Sequence, residues 1–98
     1  DARDRERVLS SLAAAGRHIE IIDALQMAGF AGNVLELRAA DAGSVLALSA
    51  TAHASFGPAA IERLASTVSR IVVAPIPTIE TLGGGSVRCM LAEVFLPY

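Results

Sequence analysis

The sequence predicts a small α/β (α+β) protein built around one β-β-α-β unit at residues 33–74. Three observations carry that expectation. Two short segments of strand character flank a turn-like stretch, Ala39-Ala40-Asp41-Ala42-Gly43. Apolar residues at helical spacing then follow Gly57-Pro58, and a β-branched run closes the unit at 70–74. The chain has 98 residues, 53% hydrophobic and 18% charged, with a net charge of −2. A chain so apolar and so nearly neutral collapses rather than staying disordered. Its length suits one domain with a thin core.

Taken in order, the first segment reads as a helix, because Val8, Leu9, Leu12, Ala13 and Ala15 form one stripe. Asp1, Asp4 and Glu6 lie where the helix dipole favours acids, and Gly16 fits the stop. Arg3, Arg5 and Arg7 read as its solvated face. Residues 17–22 alternate, with Ile19 and Ile21 on one side, and predict a strand. Residues 23–32 hold Gly29 and Gly32 and read as an irregular connection. Strands are expected at 34–38 and 44–49, joined by the short hairpin loop. Gly57-Pro58 opens a second helix, carried by Ile61, Leu64, Ala65 and Val68. Residues 70–74 read as a buried strand, 78–86 as a glycine-rich loop, and 89–97 as a closing strand.

Composition narrows the function classes. All eight basic residues are Arg and ten acids balance them, so no basic field exists for nucleic acid or an anionic membrane. Apolar runs such as 71–74 fall far short of the ~20 residues a membrane helix needs. One cysteine excludes an internal disulfide framework and a Cys-based zinc site. Trp is absent and only 4% of residues are aromatic, which disfavours base or sugar stacking. No signal leader is read, and a cytoplasmic location is expected. The chain opens on Asp1, so it is expected to be processed or part of something longer.

The segment that bears on chemistry is Gly83-Gly84-Gly85-Ser86-Val87-Arg88-Cys89-Met90. Consecutive glycines suit a backbone that approaches a ligand or adopts positive φ, and at least one of these three is expected to do so. Arg88 beside Cys89 favours the thiolate. The same residues also describe a flexible connector followed by a small buried hydrophobe. Nucleotide loops are excluded: no Lys-Ser/Thr follows the glycines, and Arg88 stands where a third dinucleotide-fold glycine falls.

This block resembles the C-terminal signature of the guanidino-group-modifying enzymes, which include arginine deiminase, dimethylarginine dimethylaminohydrolase and the amidinotransferases. Within that superfamily it is most similar to the bacterial arginine-deiminase-related, amidinotransferase-like hydrolases. Phe30-Ala31-Gly32-Asn33-Val34-Leu35-Glu36-Leu37 and Ile76-Pro77-Thr78-Ile79-Glu80 resemble further stretches of that subgroup. The resemblance implies a five-bladed β/α propeller (the pentein fold) made of ββαβ modules, of which residues 33–74 are one. The whole chain, 1–98, is then a single-domain C-terminal piece, with 83–97 as catalytic loop and closing strand. It further implies that Cys89 is a nucleophile that attacks a guanidinium carbon and forms a thiouronium adduct, resolved by water or by a second amine. Asn33, Gly84, Gly85 and Ser86 are the expected substrate-binding residues, the substrate is an arginine-like guanidino compound, and no cofactor or metal is expected.

The family's histidine and guanidinium-gripping acids lie well upstream of its glycine loop. His18 and His53 lack the family's surroundings and read as incidental; Glu36 and Glu80 could line the site, Glu36 reading equally as a solvent-facing strand residue and Glu80 as a loop charge. The chain alone is therefore expected to be inactive and to self-associate through unpaired edges. In the competing reading the chain is a non-catalytic α/β module that binds a ligand or partner or merely assembles; the alternative to self-association is a monomer whose first helix, 3–15, folds back over the open face.

Overall fold

The computed structural model describes residues 1–41 and 43–94. Helix α1, Ala2–Ala14, starts where the Asp1 side chain accepts the Asp4 N–H at 2.9 Å. It ends before Gly16, which takes the left-handed φ of +76°. None of its residues is buried, and Val8 and Leu12 stay exposed. The helix therefore does not fold back over the sheet. The radius of gyration is 14.9 Å, against about 13 Å for a compact domain of this length.

The strand expected at 17–22 is absent; the segment is irregular. Alternation makes a strand only where a neighbouring edge supplies ladder bonds. Here side chains tie the segment instead. Glu20 accepts from Arg63 Nε at 3.0 Å and Nη2 at 2.6 Å, and Ile22 packs on the core. Helix α2, Ala24–Ala28, replaces the expected irregular connection. A reciprocal capping box nucleates it: Gln26 N–H donates to Asp23, and Asp23 N–H donates to the Gln26 side chain. Its end is a Schellman motif, with Ala31 N–H on Gln26 O and Phe30 N–H on Met27 O, both at 3.0 Å. Phe30, not glycine, holds the left-handed position, at φ +65°. Gly29 serves a different need, since a Cβ there collides with the Ser55 side chain across the helix contact.

The β-β-α-β unit forms with little change. Strand β1, Leu35–Arg38, pairs antiparallel with β2, Ser44–Ser49, with Leu35 opposite Ala47 and Leu37 opposite Val45. Ala39 N–H on Gly43 O at 2.7 Å closes the hairpin, and Gly43 N–H bonds Asp41 Oδ1 at 3.0 Å. Helix α3, Ala50–Ala65, crosses over to β3, Arg70–Ala74, which runs parallel to β2 with Leu46 opposite Ile71. The result is a mixed three-stranded sheet of order β1-β2-β3. The core under it is Ala31, Leu48, Ala52, Phe56 and Ala60, with Phe30, Val34 and Ile61 against it.

Helix α3 begins seven residues before the expected Gly57-Pro58 start, because Ser49 at the end of β2 caps it by accepting the Ala52 N–H at 3.0 Å. Gly57-Pro58 is a break inside it, with Gly57 at φ +79° and ψ 164°. Strand β3 is where expected but not buried: Val72 is 46% and Val73 42% exposed. It stands at the edge of the sheet, so both of its faces are only partly covered.

The C-terminal third departs most. Helix α4, Pro77–Gly83, occupies most of the expected loop, with Pro77 in the first turn. Gly84 closes it at φ +68°, the positive φ expected within the glycine run. In place of the closing strand, Val87–Met90 make one helical turn, α5, and 91–94 are irregular. The alternating residues find no strand edge there, and Val87 is buried where α5 packs on β2. Residues 95–97 of that expected strand lie outside the described residues.

The Gly57 backbone is open only to glycine, and nothing lies within 4 Å of an added Cβ. Gly57→Ala is therefore expected to lower stability by conformational strain alone, by about 1–3 kcal/mol. Thermal or urea unfolding checks this; an unchanged midpoint contradicts it.

Candidate active site

Cys89 lies on α5 as a free, exposed thiol. Asn33 reaches it from 56 residues earlier in the chain. The Schellman turn after α2, extended by Asn33 N–H on Phe30 O at 2.9 Å, delivers Asn33 just ahead of β1. Its side-chain amide then engages Cys89 twice. Nδ2 donates to Sγ at 3.1 Å, and Oδ1 accepts the Cys89 N–H at 3.4 Å. The Asn33 bond, more than any other cause, holds the thiol below its ordinary value. The Ser86 backbone N–H helps, burial opposes, and the Arg88 charge adds the least. The thiolate is the attacking form of cysteine, so the arrangement readies a nucleophile.

The glycine run shapes the space around the sulfur. A Cβ on Gly85 would stand 3.1 Å from both Cβ and Sγ of Cys89, so any larger residue would push the thiol side chain by a few tenths of an ångström. Gly84 supplies the left-handed turn. Ser86 is fully buried, and its hydroxyl points away from the thiol, donating to Glu80 Oε2 at 2.6 Å. Glu80 accepts a second bond from Thr51 Oγ1 at 2.8 Å. Burial pushes the Glu80 carboxyl up, but the hydroxyls of Ser86, Ser49 and Thr51 together outweigh it and hold the pKa below 4.5. Thr51 and Ser86 bond the carboxylate directly; Ser49 pulls the same way without a hydrogen bond of good geometry.

The structure thus brings together Cys89, Asn33 and Gly85, and turns the Ser86 side chain elsewhere. Neither His18 nor His53 is hydrogen-bonded to the thiol among the described residues, and Glu36 is exposed on β1. Glu80, read from sequence as a loop charge, is instead a buried carboxylate. It also lines an open pocket of about 150 Å³ with Phe30, Thr51, Pro77 and Thr81. Pro77 at a helix start was the available signal, since it places Glu80 inside a helix rather than on a loop. Among the described residues no group of three or more His, Cys, Asp or Glu is placed to hold a metal. No described helix is long and apolar enough to cross a membrane.

A free thiol with a lowered pKa thus lies beside a glycine turn, C-terminal to the β-β-α-β unit. Residues 1–96 match the model of the family described as N,N dimethylarginine dimethylhydrolase, eukaryotic, and the chain belongs to that family. The superfamily is the one the cysteine block implied. The matching branch is dimethylarginine hydrolysis rather than the bacterial arginine-deiminase-related subgroup. Comparison with curated proteins and with solved structures gave no match.

Two outcomes are expected. Asn33→Ala removes the largest support of the thiolate, so the pH profile of Cys89 alkylation by iodoacetamide should move to higher pH; an unmoved profile contradicts the Asn33 assignment. Glu80 has a lowered folded pKa, so its contribution to stability is present above 4.5 and is lost as pH falls through the lower folded value. Melting temperature should therefore fall more steeply below pH 4.5 in the wild type than in Glu80→Gln.

Proposed function

We propose that this chain carries the nucleophile of a dimethylarginine hydrolase and that Cys89 is that nucleophile. The observation that carries the reading is the exposed thiol held at two points by the Asn33 amide, in a chain of this family. The thiolate attacks the guanidinium carbon of an N-methylated arginine and forms a C–S bond. The methylated amine takes a proton and leaves as the C–N bond breaks, and a thiouronium remains on Cys89. Water adds to the same carbon, the C–S bond breaks, and a citrulline-type urea is released with the thiolate restored. The substrate's positive charge near the sulfur favours the thiolate further.

Asn33, Gly84, Gly85 and Ser86 are assigned to substrate binding, Ser86 through its backbone because Glu80 holds its hydroxyl. The 33–74 unit is one blade of a pentein propeller, and residues 83–97 are the nucleophile-bearing block of the ring. Family membership and the ββαβ topology support this assignment. Other blades carry the acid/base group and the carboxylates that grip the guanidinium. The chemistry uses no cofactor. An unpaired exposed thiol is suited to a reducing compartment, which favours the cytoplasm.

A haloacetamidine imitates the guanidinium and is expected to alkylate Cys89 faster than iodoacetamide does. Equal, slow labelling by both overturns the reading in favour of a non-catalytic module. The chain by itself is expected to yield no citrulline-type product at enzymatic rates, because it forgoes the roughly 10²–10⁴-fold from proton transfer. It is also expected to self-associate at micromolar concentration, since β3 presents an open edge with Val72 and Val73 exposed. Sedimentation as a clean monomer contradicts the association.

A further inference from the structure

We propose that Glu80 is a positioning residue for the Cys89 thiol, holding Ser86, the residue from which the turn carrying the cysteine starts. The proposal rests on Cys89 being the nucleophile. Helix α5 has four residues, too few to persist on helical propensity. Its geometry is therefore imposed from outside. Asn33 grips it at Cys89, Val87 anchors it by burial, and Ser86 anchors its first end. Ser86 makes no capping bond to α5 with its side chain. Its hydroxyl is committed to Glu80 at 2.6 Å, within the short range of O–H···O⁻ bonds.

That bond spans the last turn of α4 and the two glycines that follow it. Gly83 is the last residue of α4, and Gly84 and Gly85 leave the chain after it free to adopt many conformations. Glu80 ties α4 to residue 86 across the glycine turn, and through Thr51 it ties that closure to α3. A single carboxylate thus joins α3, α4 and the start of α5. The choice of residue points the same way. Glu80 is only 6% exposed and its direct partners are neutral hydroxyls, a costly way to bury a charge if packing were its purpose. A carboxylate does what an apolar side chain cannot: it accepts from two donors on two elements at once and fixes both. The Ser86 N–H that helps the thiolate is held by the same tie.

The test is the alkylation of Cys89 in the full chain by neutral iodoacetamide, measured across pH for the wild type, Glu80→Ala, Glu80→Gln and Ser86→Ala. Circular dichroism establishes that each variant is folded under assay conditions. Glu80→Ala and Ser86→Ala are expected to lose about fivefold in rate at neutral pH, the size of one lost hydrogen bond, with the profile shifted to higher pH. Glu80→Gln keeps an acceptor for Ser86 and should recover part of the rate. A merely structural role would lower the melting temperature while leaving the folded-state rate and profile at wild-type values, and that result overturns the proposal. If Glu80→Ala does not fold, Ser86→Ala and Glu80→Gln carry the same comparison. A wild-type thiol that titrates like free cysteine instead sinks the nucleophile reading itself, so the two failures are distinct.

Discussion

The burial of β2 on both faces is the constraint on which the rest of the structure depends. Side chains alternate along a strand, so five consecutive buried residues, Val45 to Ser49, require cover on each side. Helix α3 covers the face of Leu48, and α5 packs against the strand as well. The end of β2 then does three further things. Ser49 starts α3, Thr51 two residues on reaches Glu80, and the parallel pairing of Ser49 with Ala74 sets where α4 begins. The cysteine therefore takes its position from the best-covered element of a small fold, although it is itself exposed.

The strands and their connectivity were legible because their signals are local and their partners adjacent. Residues 34–38 and 44–49 needed only a hairpin between them, and the β-branched run at 70–74 needed only the crossover. The errors share a cause. Alternation at 17–22 and 89–94 specifies a side-chain pattern, not a hydrogen-bond partner, and without a neighbouring edge the pattern does not become a strand. Helices α2 and α4 were obscured by glycines that end them or make room for a neighbour, although Asp23 with Gln26 and Pro77 marked their starts. Gly57 shows the converse: a correctly placed signal that breaks a helix rather than beginning one.

For the site, Cys89 stood out first through the glycine run and Arg88 around it and then through the resemblance, Asn33 only through the resemblance. Composition alone leaves a lone cysteine an ordinary hydrophobe. Their direct contact was not legible, since 56 residues separate them and the joining geometry depends on a Schellman turn that no glycine announces. Glu80 was illegible for a related reason. A carboxylate in sequence reads as solvated, and what keeps this one charged inside the protein is the hydroxyls of Ser86, Ser49 and Thr51, from separate parts of the fold.

Phe30 carries a consequence for how this chain tolerates change. A phenylalanine in left-handed backbone costs on the order of 1–2 kcal/mol, which glycine would relieve. Backbone geometry alone would favour glycine at this position. The ring, however, packs against the core and walls the pocket over Glu80. Losing it would also loosen the turn that delivers Asn33. Backbone comfort and side-chain use thus oppose each other at a single codon. A substitution that eased the backbone there would come with a slacker hold on the sulfur.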